Sequence, residues 1–116
     1  MYKRQPQSVS GSTNYPRAIE TGVNFLTDLI ADARARGTTR IEARQDAEDE
    51  WVAEVQRAHE RLLLRRSKGW FTGYNSNVAG HDSGQVRYQA YFGPAPRYAG
   101  FLRKAREQGY PQLALD

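Results

Sequence analysis

Few residues of this chain have types and spacing suited to chemistry. His81 precedes Asp82 in a Gly-flanked turn, a pair that does acid–base work when the carboxylate orients the imidazole. Adjacent residues rarely face one another, however, and Asp82-Ser83-Gly84 is an ordinary turn sequence. His59 falls on the apolar face of an expected helix and reads as a packing residue. Ser8, Ser10 and Ser12 lack the elbow that surrounds a nucleophilic serine. Glu50 and Glu54 share a helix face, but no nearby histidine joins them as a metal ligand. Neither G-x-G-x-x-G nor G-x-x-x-x-G-K-[ST] occurs, so neither phosphate cradle is encoded here. The residues themselves point to no catalytic set and no metal site.

One loop stands apart. Between Gly69 and Gly93 lie five of the ten glycines, together with Trp70, Phe71, Tyr74, Tyr88, Tyr91 and Phe92. Glycines let a backbone approach a flat ligand closely. A tryptophan adds a ring face and a single N–H donor, and Asn75, Ser76 and Asn77 add short polar arms. The same composition also suits a tight loop with an aromatic packed beneath it. The residues alone leave both readings open.

These groups need elements to hold them. Residues 1–15 are rich in Pro, Ser, Gly, Thr and Asn and read as a loop. Asn14 and Pro16 are suited to start a helix over 16–36, with Arg34 and Arg36 in its last turn and Gly37 as its stop. Its apolar stripe is Ile19, Val23, Leu26, Ile30 and Ala33, widened by Phe25 and Leu29. Ile41 centres a short β-prone stretch. A second helix begins near Gln45, with Asp46, Glu48, Asp49 and Glu50 at its head and Arg61, Arg65 and Arg66 at its tail, as the helix dipole favours. Its apolar face is Trp51, Val52, Val55, His59 and Leu62. Val86–Phe92 is expected as a strand, Pro94–Gln108 as a third helix stopped by Gly109, and Leu113–Leu115 as a last strand. Three amphipathic helices with a few short strands make an α/β chain whose strands want a sheet to join.

Composition narrows the field further. Cysteine is absent, which removes disulfides and thiolate metal sites and suits a reducing cytoplasm. No apolar run approaches the ~20 residues of a membrane span, and no apolar stretch follows Lys3 and Arg4 as it would in a secretory signal. Of 17 basic residues 14 are arginine, against 13 acidic residues, for a net charge of +4. So small a surplus reads as a solvated surface. The alternative is a small basic helical module that binds nucleic acid through Arg61, Arg65, Arg66 and Lys68 beside Trp70 and Phe71.

The run Trp70 to Asp82, W-F-T-G-Y-N-S-N-V-A-G-H-D, resembles a C-terminal loop of the Baeyer–Villiger monooxygenases, the class B flavin-containing monooxygenases. Members often read W-x-x-G-x-N, then an aromatic-rich strand and Y-x-G-G, which stands here as Tyr91-Phe92-Gly93-Pro94. Ala18-Ile19-Glu20 followed by Asn24 to Ile30 resembles the family's I-E-x-x-V-x-W-I-x-D-L-I helix. Arg40-Ile41-Glu42 with Ala47 to Val52 resembles R-x-E-x-x-x-x-A-E-x-x-W-V, and Gly109-Tyr110-Pro111 resembles the closing G-Y-x-G-F. The likeness runs from about Pro6 to Leu115. Each motif is loose, and the order of all four is specific.

The resemblance implies a fragment: residues 16–116 as the C-terminal part of a dinucleotide-binding, Rossmann-like FAD domain, with a cofactor-facing loop at 69–84. The parent would use FAD, NADPH and O2 to insert one oxygen beside the carbonyl of a small ketone, giving an ester or lactone and water. Matched position by position, Trp70 takes the place of a family Trp that donates to the ribose region of NADP. Ser10, Gly11 and Ser12 fall in the substrate-lining loop, whose likeness spans 8–12. Asn14 matches an Asn after that loop, and Tyr15 takes a flavin-side position that is often Met. Pro94 stands for a usual Gly, Ala43-Arg44-Gln45 for a Pro-containing cap, and residues 1–5 do not fit, with Gln5 where Gly is usual. The FAD and NADP fingerprints and the flavin-side Arg lie upstream in that family. The chain alone is therefore expected to be inactive and cytoplasmic, to work with the remainder of its parent, and to need neither membrane nor nucleic acid.

Overall fold

The computed structural model describes residues 14–79, 86 and 88–116. Helix α1 spans Tyr15–Ala35. The Asn14 side chain accepts from the Arg17 N–H, so the residue expected to cap the helix does so. Its C-terminus closes as a Schellman turn: Gly37 N–H donates to Arg34 O, and Thr38 N–H to Ala33 O. That geometry places Gly37 at φ 71°, in the left-handed region. Helix α3, Ala95–Glu107, ends in the same way, through Gly109 to Arg106 O and Tyr110 to Ala105 O.

The expected β-prone stretch is strand β1, Ile41–Ala43, and the expected final strand is β2, Leu113–Leu115. They pair with each other, antiparallel, with Ile41 opposite Leu115 and Ala43 opposite Leu113. Hydrogen bonds from Thr39 and Arg40 to Asp116 O, and from Arg44 to Gln112 O, extend the ladder at both ends. The expectation that the strands lack a sheet of their own is thereby corrected: each provides the other's partner.

Helix α2 spans Gln45–Glu60 and stops sooner than expected. His59 O accepts from both Arg61 and Leu62, which tightens the last turn, and Leu62 is extended. Arg65 and Arg66 therefore sit on a separate 3-10 turn, Leu63–Arg66. The strand expected at Val86–Phe92 does not form among its described residues, where Tyr91 makes only an isolated bridge. Packing overrides alternation here: Tyr88, Tyr91 and Phe92 all turn their rings toward α2 or its surroundings.

Val55 and Tyr91 form the centre of the core, wrapped by Ala18, Trp51, Ala58, Tyr88, Ala95, Tyr98 and Phe101. Trp51 meets Tyr91, Tyr98 and Phe101 at ring-centroid distances of 5.3, 6.0 and 5.8 Å. Such pairs add to the area they bury. Glu54, almost buried beside this cluster, is clamped by Arg57 at 3.1 Å and Arg97 at 3.0 Å, which ties α2 to α3.

Helix α1 docks on α3 and its terminal turn. Phe25 lies edge-on to Tyr110, the Tyr110 hydroxyl donates to Asp32 at 2.8 Å, and Arg106 pairs with Asp28. The helix thus rests on its Phe25–Leu29 side. The expected apolar stripe of Ile19, Val23, Leu26 and Ile30 is exposed, and the residues that widen it, Phe25 and Leu29, make the contacts. Only Ala33 of that stripe is buried.

Candidate cofactor-facing site around Trp70

The segment that presents Trp70 is tightly bonded to itself. Trp70–Thr72 forms a single 3-10 turn. Thr72 N–H and Tyr74 N–H both donate to Gly69 O, and Gly73 N–H donates to Trp70 O with Gly73 at φ 75°. Thr72 is buried, and its hydroxyl accepts from Gly69 N–H at 3.2 Å. That hydroxyl also lies 3.0 Å from the carbonyls of Ser67 and Gly69, to either of which it donates. The glycines here serve the turn: Gly73 supplies the positive φ that a branched residue would resist.

Behind the turn runs a chain of rings. Trp70 sits edge-on to Phe71 at 5.1 Å, Phe71 edge-on to Phe92 at 5.2 Å, and Phe92 edge-on to His59 at 5.1 Å. Gln89 N–H donates to Phe71 O and ties this layer to the 88–92 segment. His59 is fully buried. Burial pushes its imidazole pKa below the ordinary histidine value, with the Val55 carbonyl contact acting weakly the other way. It is a packing residue, as expected.

Trp70 itself is 58% exposed. Among the described residues its indole N–H meets no acceptor. A fixed backbone therefore holds out a large aromatic face and an N–H donor that a partner could accept from. Packing and presentation are divided between neighbours: Phe71 turns inward and Trp70 outward. Of the polar arms, the Asn75 carboxamide oxygen is engaged by Asn77 N–H, so it shapes the turn. Lys68 lies over the Tyr74 ring at 5.6 Å, and Arg61, Arg65 and Arg66 are exposed.

Of the other expected site residues, Asn14 and Tyr15 belong to the start of α1. Asn14 is engaged in capping α1, and Tyr15, half exposed, begins that helix, whose main contact is α3. Ser10, Gly11, Ser12, His81 and Asp82 lie outside the described residues. The clamped carboxylate of Glu54 was not foreseen. Its signal in sequence was faint, since its partner Arg97 is 43 residues away. Among the described residues no helix is long and apolar enough to cross a membrane.

No family profile matches the chain. Individual relatives do. The chain is 29% identical to the FAD-binding monooxygenase VdtE of Byssochlamys spectabilis over 95% of its own length and 18% of that protein's. It is 28% identical to a Baeyer–Villiger monooxygenase of Pseudooceanicola batsensis over 90% of its length and 18% of that protein's. Among solved structures, cyclohexanone monooxygenase from Rhodococcus sp. Phi1 bound to NADP+ superposes with a TM-score of 0.79 at 27% identity, over 94% of this chain and 20% of that one. The chain spans about a fifth of the length of the relatives it matches.

Proposed function

We propose, from the premise that this chain is a segment of the Baeyer–Villiger and related flavin monooxygenases, that it completes the NADP-facing side of such an enzyme and does no chemistry alone. Its parent would be an FAD- and NADPH-dependent oxidoreductase converting a small ketone and O2 to an ester or lactone and water. FAD and NADPH would supply the redox chemistry of that reaction. What this chain contributes is position. The Gly69–Tyr74 hydrogen bonds hold the Trp70 indole outward, with its N–H free to donate to the ribose side of NADP. The observation that carries the reading is this exposed, fixed tryptophan on a chain whose solved relative is bound to NADP+. Tyr15, half exposed at the start of α1, is assigned to the flavin side. Asn14 supports it by fixing that first turn, and Ser10, Gly11 and Ser12 are assigned to the substrate loop. A cytoplasmic location accords with the lack of cysteine.

The test mixes the purified chain with FAD, NADPH and a cyclic ketone. No lactone is expected until the remainder of a monooxygenase polypeptide is present. Lactone from the chain alone would sink the reading. Steeply salt-dependent binding to a single-stranded oligonucleotide would instead favour the exposed arginines beside Trp70 as a nucleic-acid surface.

A further inference from the structure

Helix α1 carries more apolar surface than its own chain covers. At about 100° per residue, Tyr15, Leu26, Ile19, Ile30 and Val23 fall within an arc of about 80°. Phe25, Leu29 and Ala18 occupy the adjoining arc and face α3 and the core. A helix with one partner needs an apolar stripe of roughly 100°. This one is wider by a second face, and that face is bare: Tyr15, Ile19, Val23, Leu26 and Ile30 are 54, 62, 52, 54 and 46% exposed. No charged residue interrupts it.

We propose that this second face of α1 is a docking surface for the flavin- and NADP-binding remainder of the monooxygenase polypeptide, an inference that rests on the functional reading above. The area decides between occupants. Five half-exposed side chains offer about 500 Å², short of the ~800 Å² per partner of a stable free complex. A second copy of the chain seated on this helix would hold weakly. A partner joined to the same polypeptide needs less, because linkage makes the contact intramolecular. The relatives, of which this chain is about a fifth, have the length to provide that partner.

The experiment places Ile19→Glu with Leu26→Glu in two settings. In the 116-residue chain alone, the helical signal and thermal midpoint should be unchanged, because both residues are already wetted. In a chimera where this chain replaces the matching segment of the Comamonas sp. cyclopentanone monooxygenase, itself 28% identical, the pair should lower the flavin retained on gel filtration by about tenfold or more, as burying two carboxylates demands. Unchanged retention in the chimera would overturn the proposal. So would an isolated chain that sediments as a dimer and is dissociated by the pair. An unsubstituted chimera that folds but holds no flavin counts against the functional reading instead. If the chimera does not fold, hydrogen exchange on the chain mixed with the relative's remaining polypeptide decides: protection along α1 supports docking, and unprotected α1 refutes it.

Discussion

His59 lies flat against Tyr88, with ring centroids 3.8 Å apart and planes 16° from parallel, while its Nδ1 sits 2.8 Å from Val55 O. A carbonyl can only accept, so Nδ1 carries the proton and the neutral ring keeps Nε2 as a bare acceptor. Among the described residues that buried atom has no partner. Burial holds the folded pKa below the unfolded value. The folded state therefore binds fewer protons, and the stability tied to His59 is complete above the unfolded value of about 6.5 and is lost as pH falls through the folded one. Urea midpoints measured from pH 8 to pH 5 should fall in the native chain and flatten in His59→Phe. An equal pH dependence in both would show that other groups set it.

Gly93 lies against Tyr91, the most deeply buried aromatic beside Tyr110. A β-carbon at Gly93 would overlap the Tyr91 hydroxyl and ring. Since the ring is enclosed by Trp51, Tyr98 and Phe101, it has little room to yield. Gly93→Ala should cost about 1–3 kcal/mol in urea unfolding. Gly22→Ala, where a β-carbon meets nothing, should stabilise α1 by roughly 0.5–1 kcal/mol.

Tyr110 holds a left-handed backbone, φ 62°, that non-glycine residues seldom adopt. Its buried ring against Phe25 and its hydroxyl on Asp32 keep it there. Tyr110→Phe keeps the ring and loses the hydroxyl, and should cost about 1 kcal/mol. Tyr110→Gly relieves the backbone but empties the site, and should cost about 3 kcal/mol or more. A glycine variant as stable as the native chain would mean that backbone relief outweighs the buried ring.

Trp70→Ala separates presentation from packing. With the indole exposed, unfolding of the isolated chain should shift by no more than ~0.5 kcal/mol. In the chimera the same change should weaken NADP retention by about tenfold, the value of one lost donor and ring contact, and raise ketone-independent NADPH oxidation. Phe71→Ala, which removes the inward ring, should reverse the pattern by destabilising the chain. Coupling unchanged in Trp70→Ala would remove this residue from the site.

Much of the architecture was readable without coordinates because its determinants are local. Asn14, Gly37 and Gly109 mark helix ends through their own backbone and side-chain chemistry, and the 3.6-residue periodicity of α1, α2 and α3 shows in each segment alone. The W-F-T-G-Y-N run likewise marked its loop. What only the tertiary structure decided concerns which side of an element meets what. Periodicity identifies an apolar stripe but not its partner: in α1 the Ile19–Ile30 stripe is exposed, while Phe25 and Leu29, which widen it, make the contacts. Alternation in Val86–Phe92 suggests a strand, but none forms among its described residues, and its aromatics serve α2. The pairing of β1 with β2 joins residues 70 to 74 positions apart, which three-residue strands cannot announce. Trp70 was ambiguous between packing and presentation for the same reason. Sequence placed it in a turn, and only the folded chain, by drawing Phe71 inward onto Phe92, left the indole facing out.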